Sequence, residues 1–448
     1  MIRYCRWQRT IRLSPPRRAR MLIDPNDGRP GEESVSNAAA PDLDLSSLDF
    51  WARPYEERER SFKWLRDNDP VSWHRPPEPL APGLQNSKGY WAIVRYEHLK
   101  ELSRNDTVFS SAEGVFLDDF PQLETLLSFI VMDDPRHKAL RGITQYAFSP
   151  RNIRRMEQQI RDMAAKIVDE VAPRGEGDLC ELVFKQLPGR VFAEVFVGLK
   201  DVHRREVLIE SAEQLGAWAD PTYAHIGPPL AVFQDAARKI MEIAYEEADR
   251  CRREPDDNLM TWVVEANHEG QQMTKEELGA FFTLLVGAAN DTSRHAMAHA
   301  VINLHRHPEQ KALLLEDFEG RIDVAVEELM RWSPPLMHFR RTALTDFDLD
   351  GITIKAGDKV VLWYCSGNRD ERAFPDPDRF DLLRSPNRHL SFGNGPHFCM
   401  GSSLGRQMVK CILREFNGRM HNLEIGEPTM LLSNFMNGVL SLKGRWTP

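Results

Sequence analysis

The sequence contains neither a paired cysteine pattern nor a long apolar run. Its six cysteines are scattered without CxxC spacing, so we expect neither a disulfide framework nor a tetrahedral zinc site, and a reducing cytoplasm is the expected location. The most apolar stretch, residues 281–289, is far shorter than the roughly 20 residues that span a bilayer. The sequence therefore predicts no membrane anchor.

An excess of positive charge is also missing. The 448 residues carry a formal net charge of -9 and have a pI near 5.9. A protein that coats nucleic acid needs a basic face that displaces counterions from the phosphates, so that class is excluded and no nucleic-acid partner is expected. A chain of this length with 42% hydrophobic residues can bury a large core.

The N-terminal part differs in composition from the rest. Residues 1–21 contain seven arginines and no acidic residue, and a stretch rich in Pro, Gly and Asp continues to about residue 44. Such a start can look like an organelle transit peptide. Because arginine-rich tails seldom fold, we interpret residues 1–44 as a disordered extension, with Met21 as an alternative start, and residues 45–448 as one folded domain.

The folded part is predicted to be mainly α with small β-sheets. Apolar residues three and four apart predict helices at residues 151–171, 201–218 and 233–253. Strands are predicted at residues 89–96 and within residues 347–364, where apolar and polar residues alternate before an apolar run.

The longest predicted helix begins at Thr274 and continues to about Arg306, just before Pro308. Thr274 and Glu277 have the spacing of a capping box. At 1.5 Å per residue the helix would extend roughly 45 Å, so we expect it to be central. Its middle is largely apolar yet contains Asn290, Asp291, Thr292 and Ser293; polar groups buried there need hydrogen-bond partners or a function.

The most specific local pattern lies at residues 390–401, which read Leu-Ser-Phe-Gly-Asn-Gly-Pro-His-Phe-Cys-Met-Gly. Two glycines and a proline before Cys399 predict a tight loop, and Gly401 allows the chain to turn into the helix that follows. Loop N–H groups and the helix N-terminus both favour a thiolate over a thiol. A thiolate on a rigid loop is the ligand that an oxygen-activating haem iron requires.

This loop resembles the haem-binding signature of the cytochrome P450 family, and every fixed position of that signature is filled: Phe392, Gly393, Gly395, His397, Cys399 and Gly401. The resemblance implies the triangular P450 fold, with haem b between the long central helix and the loop. It also implies that Cys399 is the axial ligand of the iron and that Phe392 is a further haem-binding residue.

Two more motifs resemble structural elements of the same family. Glu328 and Arg331 match its ExxR pair. Residues 374–380, Phe-Pro-Asp-Pro-Asp-Arg-Phe, match a further segment of the family, which implies that Arg379 completes the Glu328–Arg331 network. Taken alone, a Glu-x-x-Arg pair on a helix is common and contributes only about 0.2–0.5 kcal/mol. We assign these residues to structure rather than to catalysis.

Four donors match the family's partners of the haem propionates. His137 and Arg141 lie four residues apart on one face of a helix that begins at Pro135. The resemblance implies that they bind the propionates together with Arg341 and His397, with Arg340 as the rival of Arg341.

Residues 288–293, Ala-Ala-Asn-Asp-Thr-Ser, resemble the family's acid–alcohol motif, with Ala289 where glycine is usual. The resemblance implies that Asp291 and Thr292 deliver protons during oxygen activation. Without it, the Thr292 hydroxyl could simply bond back to a helix carbonyl.

The resemblance implies a monooxygenase that uses O2 and acts on an apolar substrate, since the closest-looking subgroup hydroxylates branched lipids, steroids and terpenoids. NAD(P)H would act only indirectly, through a ferredoxin and its reductase, because the chain has no flavin or nicotinamide domain. The alternative is a haem-thiolate sensor or lipid-binding protein without turnover, although such a protein needs no Asp291–Thr292 relay. A cysteine hydrolase built on Cys399 would need no iron.

Two surfaces follow from the same resemblance. Lys138, Arg406, Lys410 and Arg414 are predicted either to form the docking face for an acidic ferredoxin or to be ordinary solvated charges. Positions expected to line the substrate pocket, or else to be ordinary core, are Val115, Phe116, Leu117, Trp218, Leu284, Ala288, Leu336, Met337, Phe435, Met436 and Val439.

Overall fold

The computed structural model of the chain describes residues 43–80, 84–120, 128–145, 148–216, 225–266, 270 and 272–447. Nearly all of the extension predicted at residues 1–44 lies outside the described residues, as does Trp218. The extension and its boundary with the domain at residues 45–448 therefore stay predictions.

Helices dominate the described part of the chain, as predicted. The α-helices are α1 (Leu48–Trp51), α2 (Tyr55–Asn68), α3 (Tyr96–Arg104), α4 (Arg136–Gln145), α5 (Pro150–Val171), α6 (Gln186–Arg190), α7 (Val202–Gly216), α8 (Pro229–Arg253), α9 (Leu259–Glu265), α10 (Lys275–Arg306), α11 (Pro308–Glu316), α12 (Phe318–Trp332), α13 (Tyr364–Gly367) and α14 (Ser402–Arg419). Two π-helical turns, Cys180–Phe184 and Val191–Phe196, flank α6.

The strands are short and form small sheets. They are β1 (Val71–His74), β2 (Tyr90–Ile93), β3 (Phe109–Ser110), β4 (Glu176–Asp178), β5 (Phe339–Ala343), β6 (Phe347–Leu349), β7 (Ile352–Ile354), β8 (Lys359–Leu362), β9 (His421–Ile425), β10 (Thr429–Met430), β11 (Val439–Ser441) and β12 (Lys443–Thr447). The main sheet has the order β1-β2-β8-β5-β3, in which only β2 and β8 run parallel.

Element ends differ slightly from the sequence prediction. The predicted strand at residues 89–96 stops at Ile93, because Tyr96 begins α3. The apolar run of residues 360–364 stays extended only to Leu362, and Tyr364 opens α13. Both differences arise where a strand passes directly into a helix without a Gly or Pro to mark the change.

Helix α10 is the central helix that the sequence predicts. The Thr274 hydroxyl accepts a hydrogen bond from the Glu277 N–H (3.2 Å), and the Glu277 carboxylate accepts one from the Thr274 N–H (2.9 Å), so the capping box is formed. Most of its residues between Leu278 and Leu304 are buried, apolar and polar side chains alike. Phe281, Phe282 and Val286 are fully buried, and α7, α8 and α14 pack around it.

None of the helices in the described ranges is both long enough and apolar enough to cross a membrane.

Candidate active site

The loop before Cys399 is held by its own backbone. The Cys399 N–H donates to the Phe392 carbonyl (2.9 Å), and the Phe398 N–H donates to the Gly395 carbonyl (3.0 Å). Gly395 has a φ of 75°, and a β-carbon there would overlap the Ser103 carbonyl at the end of α3. This position therefore needs glycine for both conformation and space.

The surroundings of Cys399 act on its pKa in opposite directions. The crowding of protein atoms around the side chain raises the pKa, while the Gly401 N–H, Arg141 and Arg406 lower it. The side chain nevertheless remains accessible at its open side. The predicted preference for a thiolate is present only in part: the N–H of Gly401, the N-cap of α14, lowers the pKa, but burial outweighs it.

The structure brings the predicted propionate donors together beside the cysteine loop. The rings of His137 and His397 stack with centroids 4.1 Å apart. Burial, followed by the nearby charges of Arg341, His137 and Arg141, lowers the pKa of His397 to about 2. His397 Nε2 lies 3.2 Å from the Ser111 hydroxyl, and Arg141 donates to the Phe398 carbonyl (2.5 Å).

The two candidate arginines on β5 point in different directions. Arg340 pairs with Asp119 (2.8 Å), which also pairs with Lys359 (2.7 Å). Arg341 is only 4% exposed and donates to the Arg340 carbonyl (2.7 Å), and no carboxylate of the described residues lies within ion-pair distance of it. Because neighbouring residues of a strand alternate, Arg341 and not Arg340 belongs to the group around His397.

This donor set fits a haem. Arg341 is a buried cation without an acidic partner among the described residues, and His137 Nε2 is buried without a hydrogen-bond partner. Buried donors of this kind require an anion, and carboxylates such as the haem propionates satisfy them. Phe392 lies against the same loop and stacks under the Arg406 guanidinium (4.3 Å to the ring centroid).

The Glu328–Arg331 pair is fully buried and anchors the segment that leads to the loop. Arg331 donates to Glu328 through Nε (2.7 Å) and Nη2 (2.8 Å), and it also binds the carbonyls of Asn368 (2.8 Å) and Pro377 (2.9 Å). Asn387 donates to the same carboxylate (3.0 Å).

The third member of this network was predicted wrongly. The Arg379 side chain is 67% exposed and contacts Asp381, so it does not reach Glu328. Arg384 takes that place: it is 9% exposed, lies 3.3 Å from the Glu328 carboxylate and donates to the carbonyls of Pro375, Asp376 and Arg379. The family pattern located the segment but not the residue that turns inward.

Asp291 is buried in the middle of α10. One carboxylate oxygen lies 3.2 Å from Arg294 Nε, and the other, Oδ2, is buried without a hydrogen-bond partner among the residues that the structure describes. Gly216, at the end of α7, packs so closely that a β-carbon there would overlap Oδ2. Burial raises the pKa of Asp291 to about 6, although the Arg294 charge opposes this rise.

A chain of charges connects Asp291 with α7. Arg294 faces Glu213 (3.8 Å) as well as Asp291, and Glu213 in turn contacts Lys185. Arg294 and Glu213 were not among the site residues predicted from the sequence. Arg294 could have been found from its i, i+3 spacing to Asp291, whereas Glu213 had no signal in the sequence.

The Thr292 hydroxyl donates to the Ala288 carbonyl (2.6 Å). A bond from this hydroxyl back to a helix carbonyl was the alternative to a catalytic role for Thr292. The neighbouring Asn290 makes the same kind of bond, to the Val286 carbonyl (2.8 Å). The assignment of Asp291 and Thr292 to proton delivery stays a prediction.

Three of the segments predicted to line the substrate pocket meet. The rings of Phe116 and Phe435 are 4.8 Å apart, the Met337 N–H donates to the Phe435 carbonyl (2.9 Å), and Leu336 forms a bridge with Met436. They form an apolar wall, defined as residues 115–117, 336–337 and 435–436.

Three of the four predicted docking cations are paired with acids of the neighbouring helix, whereas the prediction for Lys138 stays untested. Arg406, Lys410 and Arg414 of α14 pair with three carboxylates of α12, namely Glu327, Asp323 and Glu319. These three pairs, which we call the ion ladder, follow each other at intervals of one helical turn. The alternative of ordinary helix charges thus describes these three residues better than an unpaired basic face does.

The comparisons with known proteins identify the family. The sequence model of cytochrome P450 matches residues 221–419, and relatives more than 30% identical extend over nearly the whole chain. The chain therefore belongs to the cytochrome P450 family and is a monooxygenase, as the sequence predicted, and its fold class is confirmed. Members of this family use haem and dioxygen.

Particular relatives act on lipids and steroids. A methyl-branched lipid omega-hydroxylase of Mycobacterium tuberculosis is 36% identical over 91% of this chain and 95% of its own length. A steroid C26-monooxygenase of Rhodococcus jostii is 33% identical over 91% of this chain and 86% of its own. A cytochrome P450 of Mycobacterium marinum, solved with pseudoionone, is 41% identical, with a TM-score of 0.85 over 92% of this chain and 100% of its own.

Proposed function

We propose that this chain inserts one oxygen atom of dioxygen into a C–H bond of a branched lipid, steroid or terpenoid, with haem b bound through Cys399. One observation carries the proposal: a cysteine on a rigid loop lies beside Arg341, a buried cation without an acidic partner among the described residues, and beside the stacked rings of His137 and His397. A thiolate ligand and propionate partners are what a haem monooxygenase requires.

Each residue has a distinct task in this proposal. When bound, the haem would supply the oxygen-activating chemistry. Cys399 would ligate the iron, and Arg341 with the two histidines would hold the propionates. Asp291 would take up and release protons at Oδ2, because a pKa of about 6 suits proton exchange near neutral pH.

Thr292 would pass the proton on. Its hydroxyl donates to the Ala288 carbonyl in this structure, and a hydroxyl proton can rotate toward another acceptor. Replacing Thr292 with Ala is expected to uncouple NAD(P)H consumption from product formation, whereas unchanged coupling would contradict the relay.

We propose a separate ferredoxin and ferredoxin reductase as the source of electrons, with NAD(P)H consumed by the reductase. The ion ladder leaves few unpaired cations for an acidic ferredoxin, so electrostatic attraction should be modest and its affinity should fall only gently with salt. Asp323→Asn would free Lys410, and we expect it to tighten ferredoxin binding and steepen that salt dependence. No change in either quantity would place the docking face elsewhere.

The iron ligand is tested by the spectrum of the reduced protein with carbon monoxide. Wild type should give the thiolate-type Soret shift, and Cys399→Ser should lose it. Cys251→Ala, which alters a buried cysteine elsewhere in the core, is the matched control and should keep the shift. A thiolate-type spectrum in the Cys399 variant would end the proposal.

The substrate class is tested by the spin state of the iron. Steroids, terpenoids and branched fatty acids are added separately, and the low- to high-spin shift is recorded. A member of these classes should produce the shift and be hydroxylated when ferredoxin and reductase are supplied. Binding without any turnover would instead favour a sensor or lipid-binding protein.

A further inference from the structure

Helix α2 contains a buried arginine that has no anionic partner among the described residues. Arg58 is only 8% exposed, and the one hydrogen bond of its side chain within the described residues runs from Nη1 to the Met337 sulfur (3.7 Å). A thioether sulfur is a weak acceptor. Arg58 Nε is buried without a hydrogen-bond partner in the described part of the chain, so most of this guanidinium's donor capacity is unused there.

The acids nearest in the sequence do not satisfy Arg58. Glu59 pairs with Arg66 (2.8 Å) instead, and Glu56 and Glu57 are exposed on the outer side of α2. Among the described residues no carboxylate lies within ion-pair distance of Arg58. Burial accordingly lowers the pKa of Arg58, yet an arginine remains protonated in any protein environment. A buried cation of this kind is costly unless an anion joins it.

Other unused donors surround the same place. Tyr55 lies one turn before Arg58, with its ring centroid 5.8 Å from the guanidinium, and its hydroxyl is buried without a partner. Trp51 lies 5.6 Å from Arg58 and stacks on Trp363 (4.9 Å), whose Nε1 is also unpartnered. His338 continues this group, 4.7 Å from Trp363, with both ring nitrogens unpartnered.

This donor group borders the apolar wall. Met337, which receives the hydrogen bond from Arg58, belongs to that wall, and Phe435 of the wall contacts the His338 ring (5.3 Å). Met337 therefore joins the apolar wall to the cationic, hydrogen-bond-donating group around Arg58. A buried cation next to apolar side chains matches an amphipathic molecule with a long apolar body and a carboxylate head.

We propose that Arg58, assisted by the Tyr55 hydroxyl, binds the carboxylate of a lipid acid whose hydrocarbon body lies along the apolar wall. The inference rests on the proposed function and narrows its substrate class to acids, held by the end remote from the oxidised carbon. Arg58 is thereby a specificity residue for head-group charge and takes no part in the chemistry.

The test compares an acid with its uncharged ester. Isopalmitic acid and its methyl ester are titrated separately into the haem-loaded protein, and Kd is read from the spin-state shift. Wild type should bind the acid more tightly than the ester. Arg58→Leu should weaken the acid roughly 10- to 100-fold, the worth of a hydrogen bond to a charged group, and leave the ester unchanged. Arg60→Leu, an exposed arginine of the same helix, should affect neither.

The ester also controls for folding, because an unchanged ester Kd requires an intact pocket. If Arg58→Leu does not bind haem, the inference is tested with Tyr55→Phe and with wild type. Tyr55→Phe should raise the Kd of the acid and leave the Kd of the ester unchanged. Equal affinity of wild type for acid and ester, or equal losses for both in the variants, overturns the inference.

A free small carboxylate is the other source of the same chemistry. Formate added at constant ionic strength should compete with the acid and not with the ester. Formate that stabilises wild type but not Arg58→Leu, while acid and ester bind alike, would assign the site to a free anion and overturn the lipid assignment. The protein could show the thiolate-type carbon monoxide spectrum while neither lipid shifts its spin state. That result would contradict both this inference and the branched-lipid class of the proposed function.

Discussion

Replacing Asp291 with Asn should stabilise the protein while it impairs the enzyme. The Asp291 carboxyl is 2% exposed, and its pKa is raised from 3.8 to about 6. Each pKa unit is worth about 1.4 kcal/mol, so keeping this carboxylate ionised costs about 3 kcal/mol of folding free energy above pH 6. Asparagine resembles the protonated acid in shape and does not pay this cost.

The sign of the effect follows from proton binding. Between about pH 4 and 6 the folded wild type binds more protons at Asp291 than the unfolded chain does, so its stability falls as the pH rises. The stability difference between Asp291→Asn and wild type should therefore be near zero at about pH 4 and reach its full size by about pH 7. Urea denaturation of both proteins across this range measures it.

Product formation should fall at the same time, by roughly 100-fold or more if Asp291 exchanges protons during turnover. Asp249→Asn is the control: that carboxylate is 59% exposed in an i, i+3 pair with Arg252, and its loss should change stability by less than about 1 kcal/mol. The reasoning would be refuted if Asp291→Asn were less stable than wild type at neutral pH, or if the stability difference between the two proteins were the same at every pH.

Three further predictions concern neighbouring parts of the site. Arg384→Ala should lower the free energy of unfolding by roughly 2–4 kcal/mol, whereas Arg379→Ala should change it by about 0.5 kcal/mol or less; similar urea midpoints for the two would contradict the assigned network. Gly216→Ala should push the Asp291 carboxylate aside and lower the ratio of product to NAD(P)H consumed, at unchanged haem content; an unaltered ratio would mean that the contact has no catalytic effect. Arg341→Gln should release haem faster than wild type in transfer to apomyoglobin, and Arg340→Gln should not; equal release rates would contradict the choice between these arginines.

Local sequence signals predicted the elements that depend on local physics. The capping box at Thr274 and Pro308 beyond the other end bounded α10 within a residue or two, because each acts on its own helix turn. The loop before Cys399 was equally predictable, because backbone geometry and close packing require its glycines.

What the sequence could not provide were partners distant along the chain. Arg379 and Arg384 are both arginines of one loop, and only the path of that loop decides which turns toward Glu328. The docking cations of α14 looked unpaired for the same reason, because their carboxylates lie on α12, roughly 90 residues earlier. Charge and spacing describe a single element, whereas pairing depends on how elements pack.

The way in which Arg331 and Arg384 bind residues 375–379 determines which mutations this segment tolerates. Both guanidinium groups bind carbonyl oxygens there, which every amino acid carries. Exchanging side chains leaves those acceptors in place, while adding or deleting one residue shifts all of them at once. The segment that leads to the Cys399 loop therefore tolerates many side chains but not a change of length.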